Sequence, residues 1–129
     1  MPKKQLEYIL QKQVCAYLNS NYPDVLFMSD TIASVKLTMQ QAVRNKAIQK
    51  EGFKTPDLII FEPKGKYHGL FIELKNKSPF KKNGVDLLQN EHIQAQATTM
   101  EELLKKGYLC YFCWGLDTAI RIIDKYMKL

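Results

Sequence analysis

The chain has little cysteine and less histidine: three Cys and two His in 129 residues. Cys15, Cys110 and Cys113 make an odd count without a secretory signal, which argues for reduced thiols rather than a disulfide framework. Cys110 and Cys113 have Cys-x-x-Cys spacing, but a structural zinc site needs four ligands. Only Cys15, His68 and His92 remain to complete one, and none has knuckle spacing. Two small apolar residues beside a core account better for the pair. No apolar run is long enough to span a bilayer. The opening Met1-Pro2-Lys3-Lys4-Gln5 is polar and lacks a signal-peptide pattern, so a cytoplasmic protein is expected. Internal repeats, low-complexity stretches and linkers are absent, which leaves one domain over residues 1–129 with a single core. There is no zinc finger or recognisable helix-turn-helix to read a base sequence. Acidic residues are also in the minority, 13 against 19 Lys and Arg. The resulting net charge of +6 suits a polyanionic partner, although many small proteins are this basic without binding nucleic acid.

What the sequence does contain is concentrated in two short apolar runs. One is Leu58-Ile59-Ile60-Phe61, entered through Thr55-Pro56-Asp57; the other is Gly69-Leu70-Phe71-Ile72-Glu73-Leu74-Lys75. Both read as strands, rich in Ile, Leu and Phe and bounded by Pro and Gly. Residues 62–68 between them are turn chemistry. Side chains alternate along a strand, so Leu70, Ile72 and Leu74 share one face while Glu73 and Lys75 share the other. If the runs pair as a hairpin, Asp57 at the first entrance comes close to Glu73 and Lys75. Two carboxylates and an ammonium on one patch suit phosphodiester hydrolysis. A hard divalent cation held by one or two carboxylates keeps waters for the reaction and lowers their pKa. Lys75 beside such a water could orient or deprotonate it and stabilise an anionic transition state. The competing reading is a salt bridge on a solvated sheet face.

The rest of the chain supplies a frame. Residues 4–19 have Leu6, Leu10, Val14, Tyr17 and Leu18 at helical spacing, with Glu7 and Gln11 on the border of that stripe. Residues 25–28 read as a first strand and 29–38 as a loop. Residues 39–51 read as a second helix capped by Thr38, basic and poor in large apolar residues. It is either a solvated helix or a DNA-contacting arm. Residues 76–84, with Lys77, Lys81 and Lys82, form a loop. A helix is expected over 86–106 with Gly107 at its end, then a strand at 108–114 and a last helix at 116–128. Gln96 within the apolar stripe of the 86–106 helix needs a partner, which marks it as a site candidate ahead of Gln89. His92 reads as a surface residue. Strands 70–75 and 108–113, joined by a helix, suggest a parallel crossover. The fold class is α/β, a mixed central sheet flanked by helices.

Pro56-Asp57, Glu73-Leu74-Lys75, the helix with Glu7 and its following Gln11, Gln96 ahead of Gly107-Tyr108, and the closing stretch 115–126 resemble one family. This is the VRR-NUC family of the PD-(D/E)xK nuclease superfamily, and the resemblance covers about residues 5–127. Lys54 stands where the family often has a nearby Gly. The resemblance implies a restriction-endonuclease-like fold and a small stand-alone nuclease of bacterial or phage type. It implies Mg²⁺ or Mn²⁺ bound by Asp57, Glu73 and the Leu74 backbone carbonyl, with Lys75 as base or stabiliser. Glu7 would support the metal site or its waters, and Gln96 would position substrate or nucleophile. Stand-alone members are associated with homodimers acting on branched DNA such as four-way junctions. Arg44, Lys46, Lys54, Lys77, Lys81 and Lys82 are the candidate DNA contacts. Symmetric cutting of a junction calls for two sites, hence a two-fold dimer. Ile120, Ile123, Tyr126 and Met127 of the last helix would either supply its interface or cover the sheet. The alternatives are a non-cleaving nucleic-acid-binding module with this fold, and an unrelated α/β protein with a chance match.

Overall fold

The computed structural model describes residues 2–30 and 35–129, apart from the Lys4 side chain. Its elements run α1 (Lys3–Asn21), β1 (Phe27–Ser29), α2 (Met39–Ala47), β2 (Leu58–Ile60), β3 (Gly69–Lys75), α3 (Glu91–Lys105), β4 (Tyr108–Trp114) and α4 (Leu116–Met127). The order of elements matches the sequence expectation. The strands form one sheet in the order β1-β2-β3-β4. The β1–β2 and β2–β3 pairs are antiparallel, and β3–β4 is parallel across α3. The expected hairpin therefore forms, with Leu58 opposite Ile72 and Ile60 opposite Leu70.

The sheet buries one face under α1 and α4. Leu58 and Ile60 of β2 and Leu70, Ile72 and Leu74 of β3 pack there with Cys113 of β4. Leu10, Val14 and Leu18 of α1 recur every fourth residue and so lie along one side of that helix; all three join the cluster. Ala119, Ile123 and Tyr126 of α4 complete it. Ile123 is 0% and Tyr126 2% exposed, and the Tyr126 hydroxyl donates to the Glu62 carbonyl at 2.6 Å. Of the two readings left open for α4, covering the sheet is the one observed at these positions. A second anchor ties the helices together: the Tyr17 and Tyr22 hydroxyls both donate to Asp124 Oδ1, at 2.6 and 2.7 Å.

Several boundaries differ from expectation, each for a local reason. The third helix begins at Glu91, not near residue 86, because the Asn90 side chain accepts from the His92 and Ile93 amides and caps it. The residues before it turn instead, with Asn83 Oδ1 accepting from the Val85 and Asp86 amides. Gln89, the alternative to Gln96, thus lies outside the helix and is exposed. The second helix stops at Ala47, and Gly52 at φ 75° follows in a turn. Its start is as expected: Thr38 and Gln41 form a reciprocal capping box. The first strand is shifted to Phe27–Ser29, since the Val25 amide is used in a turn to the Tyr22 carbonyl. The loop expected at 29–38 falls partly on residues 31–34, outside the described residues; 29 belongs to β1. Gly107, just past α3, takes φ 96°, and a Cβ there would meet the His68 ring at 2.5 Å. The chain can turn from α3 into β4 at that point only with glycine.

Candidate active site

Alternation along β3 sends Glu73 and Lys75 to the face opposite the α1/α4 core. β2 ends its pairing at Leu58, opposite Ile72. Asp57, one residue earlier, is therefore past the backbone pairing with β3 and turns its carboxylate onto that strand, where Oδ2 accepts from the Leu74 amide at 2.7 Å. A strand residue's N–H and C=O leave on the same edge, so the Leu74 carbonyl is directed to the Asp57 side as well. Gln11 of α1 fixes Asp57 from behind. Its Nε2 donates to the Asp30 carbonyl at 3.1 Å and reaches the Asp57 carbonyl at 3.4 Å.

Glu73 and Lys75 are buried, 6% and 7% exposed. Burial is the main reason the Glu73 carboxyl is pushed up, to about 9, and the Asp57 carboxylate with its side-chain hydrogen bond adds to the effect; Lys75 opposes it. Burial likewise lowers Lys75, against the pull of Glu73, Glu7 and Asp57. Glu7 on α1 faces the same charges. Burial raises it, Lys75 and Lys3 lower it, and Asp57 raises it. Its Oε1 is buried with no hydrogen-bond partner. Three carboxyls thus share a space with one buried ammonium.

The fifth expected residue, Gln96, lies on α3 one turn beyond His92. Its Nε2 is 3.2 Å from His92 Nε2, and its Oε1 is buried without a partner. The His92 ring is lowered by burial first, then by Lys75, Lys54 and Lys3, with Asp57 opposing. That list of neighbours puts His92 at the edge of the same site. The surface reading of His92 is right about its exposure and incomplete about its surroundings.

Of the basic candidates, Lys54 acts on His92. Arg44 and Lys46 sit on α2, and Lys77, Lys81 and Lys82 on the 76–84 loop, all exposed. That loop is anchored by buried Pro79 and by Phe80 against Trp114, ring centroids 5.5 Å apart. Three residues not chosen from the sequence belong to the site: Gln11, His92 and Lys3. The spacing of Gln11 from Glu7 and of Gln96 from His92, one helical turn each, was the available signal. Cys110 and Cys113 pair with Phe71 and Leu74 of β3, on opposite faces, and burial pushes both thiols up to about 12.

Among the described residues no three His, Cys, Asp or Glu side chains are grouped as a metal cage. The donor set nevertheless fits a hard divalent cation, which binds through one or two carboxylates and keeps its waters. Glu7, Asp57 and Glu73 together outnumber the one buried ammonium, Lys75, so the site holds more carboxylate than Lys75 balances. The partnerless oxygens of Glu7 and Gln96 are free to accept from bound water.

No described helix is long and apolar enough to cross a membrane. No family model matches the chain, and no curated protein matches it. Among solved structures, it is similar to a protein described as "VRR_NUC domain protein", with a TM-score of 0.64 and 26% identity over 95% of this chain and 88% of the other. The fold and the motif residues point the same way: the chain is similar to a VRR_NUC domain protein, which suggests a nuclease-type domain.

Proposed function

We propose that the protein is a metal-dependent DNA endonuclease. The observation that carries this is the convergence of Asp57, Glu73 and Lys75 on one side of the β2–β3 hairpin, with carboxylate in excess. Asp57, Glu73 and the Leu74 carbonyl would hold Mg²⁺ or Mn²⁺, which when bound supplies an activated water and charge stabilisation at the phosphate. Lys75, buried beside both carboxylates, takes up or orients the proton of the attacking water and faces the developing phosphate charge. Glu7 accepts from water on the α1 side. Gln96, held by His92, offers its carbonyl from the α3 side. Lys54 flanks the site, and Arg44, Lys46, Lys77, Lys81 and Lys82 give salt-sensitive contacts to the phosphate backbone.

The substrate in this reading is branched DNA, such as a four-way junction, cut by a homodimer in the bacterial or phage-infected cytoplasm. With Ile123 and Tyr126 committed to the core, the two-fold contact would draw on exposed apolar residues of α2 and of the stretch leading into β1, such as Met39, Val43 and Leu26.

The test is cleavage of a labelled panel of junction, flap, duplex and single strand in Mg²⁺, Mn²⁺ or EDTA, beside Lys75→Ala. Metal-dependent cutting lost in the variant supports the proposal, and the preferred lane names the substrate. Junction binding equal in both proteins, with no cutting by either, replaces it with a binding module.

A further inference from the structure

A groove of about 1040 Å³ opens between α2 and the β1–β2 end of the sheet. Its floor is Met28 and Ile59, with Phe53 beside them, and Lys46, Lys50 and Lys54 line it as well. We propose that this groove is a subsite for unpaired nucleotides of the DNA strand that runs through the candidate active site. The proposal rests on the nuclease reading above.

The groove is continuous with the candidate active site. Ile59 stands opposite Phe71, two residues before Glu73, so the groove floor lies on the same sheet face as Glu73 and Lys75. Thr55 and Pro56, which lead into Asp57, also line the groove. A strand whose phosphate sits at Asp57 and Glu73 has the groove as its next space.

Chemistry selects the occupant. The lysines outnumber the acids lining the groove, Asp30 and Glu51, which favours a phosphate backbone. An apolar floor with an aromatic ring does nothing for phosphates, and a duplex keeps its base faces stacked inside. Unpaired bases have exposed faces, and every base can stack on an aromatic side chain. The volume is at the upper end of small-ligand pockets, roughly 300–1,000 Å³, enough for a nucleotide or two and too little for a duplex. Polar capacity is present as well. Gln49 Nε2 donates to Asn45 Oδ1 at 3.3 Å, which leaves the Asn45 amide N–H groups and the Gln49 carbonyl for a base edge.

The architecture of α2 suits a groove wall. The helix carries no buried residue, yet both its ends are tied down, by the Thr38–Gln41 box and by the Ile48 amide to the Asn45 and Lys46 carbonyls. It is stabilised locally and stands off the sheet without packing into it.

The experiment uses a blunt duplex and the same duplex carrying a short unpaired arm, each fluorescein-labelled, bound in EDTA to the full chain. Variants are Phe53→Ala, which removes the stacking ring, and Gln49→Trp, which fills the groove from an exposed position just past the end of α2 and leaves the body of the fold untouched. Roughly a tenfold loss of affinity for the armed duplex is expected, the scale of one lost base stack, with blunt-duplex affinity unchanged. A 2-aminopurine in the arm should be quenched by the wild type and not by Phe53→Ala. If a wild type that cuts DNA normally is matched by both variants on the armed duplex, or the variants lose both substrates equally, the subsite is overturned alone. A wild type that neither binds nor cuts any DNA overturns the nuclease reading and the subsite with it.

Discussion

Leu70, Ile72 and Leu74 of β3 face α1 and α4 and meet only apolar groups, whereas Glu73 and Lys75, between and beside them, face the other way and meet charge. Both sets are buried, so exposure does not separate them. What separates them is what covers each face. Two helices seal the first face with a continuous apolar cluster. The second is bordered by Glu7, Asp57, His92 and Gln96, whose side chains carry charge or unspent hydrogen-bonding capacity. Burying an acid against other acids is costly, and nothing in the sheet's packing requires it. Such a local departure from self-consistency is expected at a functional site. The sealed face supplies the stability, and its alternation fixes the register that presents the charged face.

Breaking the charged face should give the largest effect. Lys75→Ala or Glu73→Gln is expected to lower single-turnover cleavage by roughly 10²–10⁴-fold, the range for a lost acid–base or charge-stabilising group. Far-ultraviolet dichroism should show the fold retained. Breaking the sealed face should do the reverse. Ile72→Ala leaves a cavity between β3 and the helices and should cost about 2–5 kcal/mol in urea unfolding, while the folded fraction still cuts. A rate loss on the catalytic scale from Ile72→Ala, after correction for folded fraction, would erase the distinction between the faces.

Sharper tests lie at the margins. His92→Ala frees the Gln96 amide and should reduce the cleavage rate by roughly tenfold, the scale of one lost positioning hydrogen bond. His92→Asn, which keeps an acceptor, should recover part of it. Equal rates in wild type and His92→Ala would remove His92 from the site. The smallest effect is expected at Asp124, remote from the chemistry. Asp124→Asn weakens the bonds from Tyr17 and Tyr22 and should cost about 1 kcal/mol, discounted for partial exposure. Those bonds hold Asp124 below the usual carboxylate value. Its contribution is therefore present above the unfolded carboxylate pKa and lost as pH falls through the lowered one. Tyr22, raised to about 12 chiefly by its bond to Asp124, contributes below the ordinary tyrosine pKa and loses that on the climb toward 12. The stability difference between wild type and variant, by thermal melts across pH, should narrow at both extremes.

Strong local patterns were legible in the sequence. The β2–β3 hairpin came from two apolar runs bounded by Pro and Gly, and alternation placed Glu73 and Lys75 together. Thr38 announced the start of α2. The start of α3 is less legible: it lies at Glu91 rather than 86 because Asn90 caps it and Asn83 holds the preceding residues in a turn. The roles of Gln11 and Lys3 are not legible in the sequence for a different reason: they are set by tertiary contact. Gln11 reaches the carbonyl of Asp57, 46 positions away, and no local period encodes that. His92 was visible as a helix residue, but its proximity to Lys75 and Lys54 exists only once α3 crosses the sheet.

The most direct measurement of the central claim, that the charged face is a cation site rather than a salt bridge, is a Mn²⁺ titration followed by electron paramagnetic resonance. Wild type, Asp57→Asn and Glu73→Gln would be compared at matched folded fraction, without DNA. Saturable binding is expected in the wild type, strongly weakened in both variants. Wild type that leaves Mn²⁺ free, or variants that bind it as well as the wild type, would contradict it.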